Sequence, residues 1–385
     1  MKINSLVLGA GTQGLITVKS LHDCGHRVVL ITSEKNNYAD ASRYVDRLYR
    51  NLGTTDECLL SLIKEVVRCE QIDVIIPMGD ADAEFLCKYA GKIPPSAKMK
   101  LPTYENFLRG YDKNRLMALC REKGYPHPLS YDLSNVALDS EEIREFPYPA
   151  MLKPNCTTGC RGMVEVHSYD ELLARFPELH ELYGEYHLQK FIKAGGRQVK
   201  IQVYIDEHKH LVAHSVQHKM RWYPNKGGSN TCAMSIECPD MVNICHQILK
   251  DIDWIGFADF DTIENPDTGE LLIMEINPRL PACIKGSIVA GINWPEIIVN
   301  DALGLPQKQY KYKTGVVLRH LGLDTLWFLK AKNRWSVEPN WFKLVGSNIY
   351  YQDASSWSDP MPFIKGTWHN IAKLFDPDFK KAKQG

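Results

Sequence analysis

The sequence predicts a mixed α/β and α+β protein. A parallel sheet covered by helices on both faces comes first, then two α+β subdomains, then an aromatic-rich carboxy-terminal extension. Three observations carry this reading. Over about the first hundred residues, short β-branched runs alternate with helical patterns. From Tyr104 the chain changes to one helical stretch followed by a series of strand-like blocks. Beyond Gln307 it turns aromatic, with Trp327, Trp335, Trp341, Trp357 and Trp368 making five of its eight Trp.

In order, Ser5 to Leu8 is an apolar run ended by glycines, and Gln13 to Cys24 reads as a helix stopped by Gly25. Arg27 to Thr32 is a second strand, Leu59 to Cys69 a helix, and Asp73 to Pro77 a buried strand closed by Pro and Gly. The Pro-rich stretch 94–102 marks a boundary, so the first domain is placed at 1–103. A second domain, 104–306, opens with a helix ending at Gly124, a left-handed cap residue. Its two subdomains are placed at 104–186 and 187–306, the second closing with strands around Gly256–Ile263 and Leu271–Ile276 joined through Asp267-Thr268-Gly269. The extension is 307–385, with disorder expected only in the last few residues, KKAKQG.

Composition excludes several classes. Lys+Arg and Asp+Glu are equal at 46 each, whereas a nucleic-acid binder normally presents a net basic surface. No apolar run is long enough to span a bilayer, and no secretory signal opens the chain. Eleven scattered Cys form no disulfide-like framework, so a reducing cytoplasmic setting is expected.

The chemistry centres on the hairpin FADFDTIENPDTGELLIMEINPRL. Side chains alternate across a strand, so Asp259 and Asp261 share one face, as do Glu275 and Asn277. Pairing of the two strands gathers Asp261, Glu275 and Asn277 into an all-oxygen set suited to Mg²⁺. Arg279 follows with a planar fork for a phosphoryl oxygen. The competing reading is a solvated hairpin, but the carboxylates sit in an apolar context, LLIMEINP, where an unpaired charge is costly. A second signal is Lys153 at a strand end, followed by a small loop, Thr157 to Gly162, whose backbone N–H groups suit phosphate; a surface Lys with ordinary loop glycines is its plain alternative. Cys156 and Cys160 lack the partners a zinc site needs. A third signal is the apolar edge Leu188 to Ile192, suited to an adenine ring, with Gln198 placed to reach a ribose; plain sheet is the alternative.

The order of these signals, from Asp112-Lys113 through Lys153 and its loop to Gln189–Ile192 and Asp261…Glu275-Ile276-Asn277-Pro278-Arg279, resembles the ATP-grasp superfamily. The likeness is to carbamoyl-phosphate-synthase-like and amino-acid or D-aspartate ligase members, and it covers roughly Met1 to Leu305. It implies a Rossmann-like first domain followed by two α+β subdomains gripping ATP. By the same resemblance Lys113, Lys153, Thr158, Gly159 and Gly162 meet phosphates, while Gln189, Lys190, Phe191 and Ile192 meet the adenine. Gln198 stands where the family often has Glu for the ribose. Asp261, Glu275 and Asn277 bind Mg²⁺ (or Mn²⁺), and Arg279 steadies the transferred phosphoryl group. The implied activity joins a carboxylate to an amine through an acyl phosphate.

Two other functions compete. Gly9-Ala10-Gly11-Thr12-Gln13-Gly14 is a GxGxxG with Glu34 twenty residues past Gly14, so an NAD-dependent oxidoreductase is an alternative; a tight turn with close packing is the plainer reading. A nucleotide-binding protein without catalysis is the third. Asp80 reads as a helix N-cap or as an amine ligand. The stretch 217–229 reads as a basic loop with Gly hinges or equally as a solvated hairpin turn; it carries Lys226 and Arg221, the latter assigned to an acidic substrate, and Lys285 is placed towards the substrate. Small-molecule carboxylate and amine partners are expected. The tail packs on the domain before it, forms a homodimer contact, or anchors weakly to a membrane surface.

Overall fold

A computed structural model describes residues 2–33, 37–157, 161–224 and 228–375, with side chains to 369. Two compact units emerge: Met1–Phe107 with Lys200–Asp259 and Asn277–Lys373, and Leu108–Val199 with Phe260–Ile276 and Leu374–Gly385.

The first unit begins with four parallel strands, β1 (Asn4–Leu8), β2 (Arg27–Thr32), β3 (Arg47–Arg50) and β4 (Val74–Pro77), in the order β3-β2-β1-β4. Their alternation decides the packing. Val7, Val28, Leu30, Val74 and Ile76 share one core with Leu15, Val18 and Leu21 of the helix Gly11–Asp23. Leu6, Leu8, Val29, Ile31 and Ile75 share another with Ile63, Val66 and Val67 of the helix Asp56–Glu70. A sheet covered on both faces reads as continuous apolar runs, which is how these strands appear in the sequence. The exposed, charged edge strand β3 (RLYR) carries no such run and was not expected.

In the second unit, β5 (Ser130–Asp132), β6 (Ala150–Pro154), β7 (Val164–Val166) and β8 (Tyr186–Lys190) form an antiparallel sheet in the order β5-β8-β6-β7. Leu152, Val166 and Leu188 pack with Leu172 of the helix Tyr169–Tyr183. The single helix expected after Tyr104 is two, Tyr104–Tyr111 and Lys113–Lys123. They break at Asp112, whose carboxylate accepts the N–H groups of Asn114 and Arg115, an N-cap that restarts the helix. Gly124 closes it at φ +73°, as its position predicts.

Seven further strands form the third sheet: β9 (Gln198–Ile205), β10 (Leu211–Tyr223), β11 (Ser229–Ser235), β12 (Gly256–Glu264), β13 (Leu271–Asn277), β14 (Val317–Arg319) and β15 (Ile349–Tyr351). Their order is β13-β12-β9-β10-β11-β14-β15. The expected β12–β13 turn forms, with Gly269 at φ +73° donating to the Asn265 carbonyl. The stretch expected as a basic loop at 217–229 is largely strand: β10 continues through Arg221 and pairs with β11, with a register shift between Lys219 and Arg221. Among the described residues no helix is long and apolar enough to cross a membrane.

Candidate active site

The second unit gathers several charged groups. Lys113, the first residue of its helix, is buried; its Nζ donates to the Thr157 carbonyl at 3.0 Å and lies 3.4 Å from Glu275 Oε2. The pairing of β6 with β8 sets Met151 opposite Gln189 and Lys153 opposite His187. Buried Lys153 donates to Gln189 Oε1, and Gln189 Nε2 donates to Ser130 Oγ at 3.2 Å. His187 is fully buried, with Nδ1 2.9 Å from Asn155 Oδ1. Burial, then the charges of Lys153 and Lys113, holds its pKa well below the usual histidine value. The imidazole is therefore neutral, and the two ammonium groups give this region a positive potential.

Gly162, at φ +71°, lies beneath Tyr186, whose hydroxyl donates to the Gly162 carbonyl at 2.9 Å. The amides of Lys190 and Phe191 donate to the carbonyls of Leu129 and Pro149. Gln198 is half-buried at the start of β9. Thr158 and Gly159 lie outside the described residues, as do Glu34 and Lys226.

On the hairpin, Asp261 is half-buried and the Glu275 side chain is 34% exposed. Asp259 differs: it is fully buried and neutralised by Lys200 Nζ at 2.6 Å. Asn277 Nδ2 donates to the Asp259 carbonyl at 3.3 Å and to its carboxylate at 3.4 Å. Asp259, which sequence reasoning did not single out as a ligand, thus orients the Asn277 amide. Among the described residues no group of three His, Cys, Asp or Glu side chains is placed to hold a metal. By their chemistry the residues expected to hold the ion, two carboxylates and an amide, offer the oxygen donors that Mg²⁺ takes alongside phosphates.

In the first unit, Arg279 pairs with Asp80, Nε to Oδ1 at 3.1 Å and Nη2 to Oδ2 at 3.2 Å. Asp80 is therefore not the helix N-cap; Gly79 occupies that position. A cleft of about 280 Å³ lies at the ends of β1, β2 and β4, lined among others by Gly9, Gly11, Ser33, Asn51, Gly79 and Asp82. Gly9 is required by geometry: its φ is +102°, and a Cβ there would lie 2.7 Å from Asp82 Oδ2. Burial raises the Asp82 carboxyl to about 6, against a hydrogen bond from the Gly79 backbone and with a small contribution from Asp80. Sequence reasoning missed Asp82. Its signal was present in the Gly-Asp-Ala-Asp run after β4, where the third residue of the helix, not the first, turns into the cleft.

Two expected substrate contacts have partners within the protein, and the loop placement of one is corrected. Arg221 is not on a loop; its side chain is 1% exposed on β10 and bound by Asp324, Nε to Oδ1 at 2.8 Å and Nη2 to Oδ2 at 3.0 Å. Arg319 shares the same carboxylate, and Arg221 and Arg319 lie over the rings of Trp327 and Trp341. The aromatic extension is built around these two cations. Lys285 is buried, donating to the carbonyls of Tyr351 and Ala354. Burial lowers its pKa to about 8, with Asp353 pulling the other way.

Comparison with known proteins gives a consistent result. Residues 111–283 match a family model described as ATP-grasp domain. The large chain of carbamoyl phosphate synthase from Campylobacter jejuni is 26% identical over 288 residues, 70% of this chain and 25% of that one. Acetyl-CoA carboxylase 1 of Arabidopsis thaliana is 27% identical over 167 residues, 41% of this chain and 7% of its own. This chain thus spans a quarter or less of these two relatives. Among solved structures, the biotin carboxylase–β,γ-ATP complex from Campylobacter jejuni superposes with a TM-score of 0.66 at 17% identity, over 82% of this chain and 75% of that one. N5-carboxyaminoimidazole synthetase from Staphylococcus aureus complexed with ADP gives 0.64 at 16% identity, over 82% of each chain. The fold is that of the ATP-grasp proteins, as the order of motifs implied.

Proposed function

We propose that this chain, which carries an ATP-grasp domain homologous to that of carbamoyl phosphate synthase, is an ATP- and Mg²⁺-dependent carboxylate–amine ligase. The observation that carries the reading is the pair of buried lysines, Lys113 and Lys153, whose charge helps hold buried His187 neutral. Lys113 lies beside the Glu275 carboxylate, and two buried lysines next to a carboxylate suit a polyphosphate with its accompanying cation. Thr158, Gly159 and Gly162 complete the phosphate contacts in this reading, while Gln189, Lys190, Phe191, Ile192 and Gln198 line the nucleoside.

Asp261, Glu275 and Asn277 hold the magnesium, which supplies neutralisation of phosphate charge. Lys113 and Lys153 do the same from the protein side, so that a substrate carboxylate can approach the γ-phosphorus. Arg279, its plane fixed by Asp80, steadies the transferred phosphoryl group. An amine then attacks the acyl carbon of the acyl phosphate, forming the C–N bond as inorganic phosphate leaves and the amine loses a proton. Lys285 and Arg221, engaged by carbonyls and by Asp324, are assigned to the structure rather than to substrate.

The glycine cleft takes the amine-bearing acceptor, whose ammonium group suits Asp82. The same carboxylate disfavours an NAD pyrophosphate, because it packs against Gly9 and would face like charge. The test is ADP release over pairs of amino acids and small carboxylates, with the coupled product read by mass spectrometry. Product mass equal to the two substrates less water is expected. ADP release no higher than background across the panel, or stabilisation by NADH but not by Mg-ADP, overturns the reading.

A further inference from the structure

The carboxy-terminal helix Met361–Phe375 is turned inside out. Its inward positions carry small or stiff residues: Pro362 and Gly366 are buried, and a Cβ on Gly366 would lie 2.5 Å from the Tyr38 ring. Its outward positions carry Met361, Ile364 and Trp368, which are 43, 55 and 74% exposed, with exposed Lys365 among them. Their spacing puts all four on one helical face. Trp357, one turn earlier in the sequence, is completely exposed. A helix packing on its own core selects the opposite arrangement.

The inversion is fixed in place. Asp359 accepts the Ser42 hydroxyl at 2.6 Å and the Arg43 amide at 3.1 Å, and the Tyr44 hydroxyl lies 2.8 Å from Ser356 Oγ. These ties lock the approach to the helix, so its apolar face stays outward.

Charge identifies what covers it. Residues 329–385 hold nine Lys and Arg against five Asp and Glu, in a chain whose totals are equal. Two of those acids, Asp353 and Asp359, are buried. Exposed Trp335 and Phe342 lie in the same basic stretch. Tryptophan beside lysine suits the boundary of an anionic bilayer, with rings at headgroup depth and ammonium groups on phosphates. A second copy would bring the same basic charge against itself. Two Trp, an Ile and a Met also offer only on the order of 500 Å², short of the roughly 800 Å² per partner of a stable complex.

We propose that the outward face of this helix, with Trp357, docks on an anionic lipid surface. The full chain is tested by co-sedimentation with vesicles of phosphatidylcholine alone or mixed with phosphatidylglycerol. Binding to the mixed vesicles only is expected, weakened by salt, and reduced about tenfold or more in the double variant Ile364→Ser, Trp368→Ser. Lys365→Glu, which leaves the apolar face intact, is expected to weaken it as well. Equal pelleting with both vesicle types overturns the proposal, as does binding unchanged in the double variant. A concentration-dependent dimer that the double variant abolishes would assign the face to a second copy and overturn it equally.

Discussion

Arg279 holds Asp80 through two parallel contacts, 3.1 and 3.2 Å long, and so ties the chain two residues past β13 to the first turn of the helix after β4. The Asp80 side chain is 6% exposed and that of Arg279 is 21% exposed. A fork-to-carboxylate pair fixes the plane of the guanidinium as well as its position. Asp80→Asn is expected to cost about 1–3 kcal/mol in urea unfolding and to lower kcat for ADP release while leaving the KM for ATP near its original value. Unchanged kcat would remove the positioning role from Asp80.

Asp324 is more heavily used. It is fully buried between the side chains of Arg221 and Arg319 and also accepts the Thr231 hydroxyl. Asp324→Asn leaves two buried guanidinium groups without their counter-charge, so a loss of about 3–5 kcal/mol is expected. A change in thermal midpoint no larger than that of an exposed substitution would contradict the placement of these cations.

Asp82 gives a pH-dependent prediction. Its carboxyl titrates near 3.9 in an unfolded chain and at about 6 in the fold. The folded state therefore holds the proton more tightly. The penalty is absent below about pH 4 and grows as pH rises through about 6, after which it is constant. Asp82→Asn is expected to stabilise the protein by about 3 kcal/mol near pH 8 and by little near pH 4. Equal effects at both values would show that Asp82 titrates normally.

Much of the fold was legible because the deciding patterns are local. Buried parallel strands advertise themselves as apolar runs, and the β12–β13 hairpin combines alternation with an Asp-Thr-Gly turn. The metal-binding candidates followed from the same alternation. What escaped depends on distance or on a single-residue phase. Arg221 meets Asp324 across 103 positions, and the register shift beside it masks the strand's period. Asp82 rather than Asp80 enters the cleft: the N-cap lies one residue earlier than the capping rule suggested, at Gly79, so the helix already starts at Asp80. Strand β3 is four residues, two of them Arg, and none is buried, a pattern shared with loops.

Glu275 is the most direct point of attack on the central claim. Its carboxylate lies 3.4 Å from Lys113 Nζ and remains one-third exposed on β13, where it is proposed to hold the magnesium that accompanies ATP. The decisive measurement is the thermal shift produced by Mg-ATP in the wild type and in Glu275→Gln. A clear rise in the wild type that vanishes in the variant is predicted, with the unliganded midpoints within about 2 °C of each other. An equal rise in both proteins would contradict a magnesium–nucleotide site at this strand.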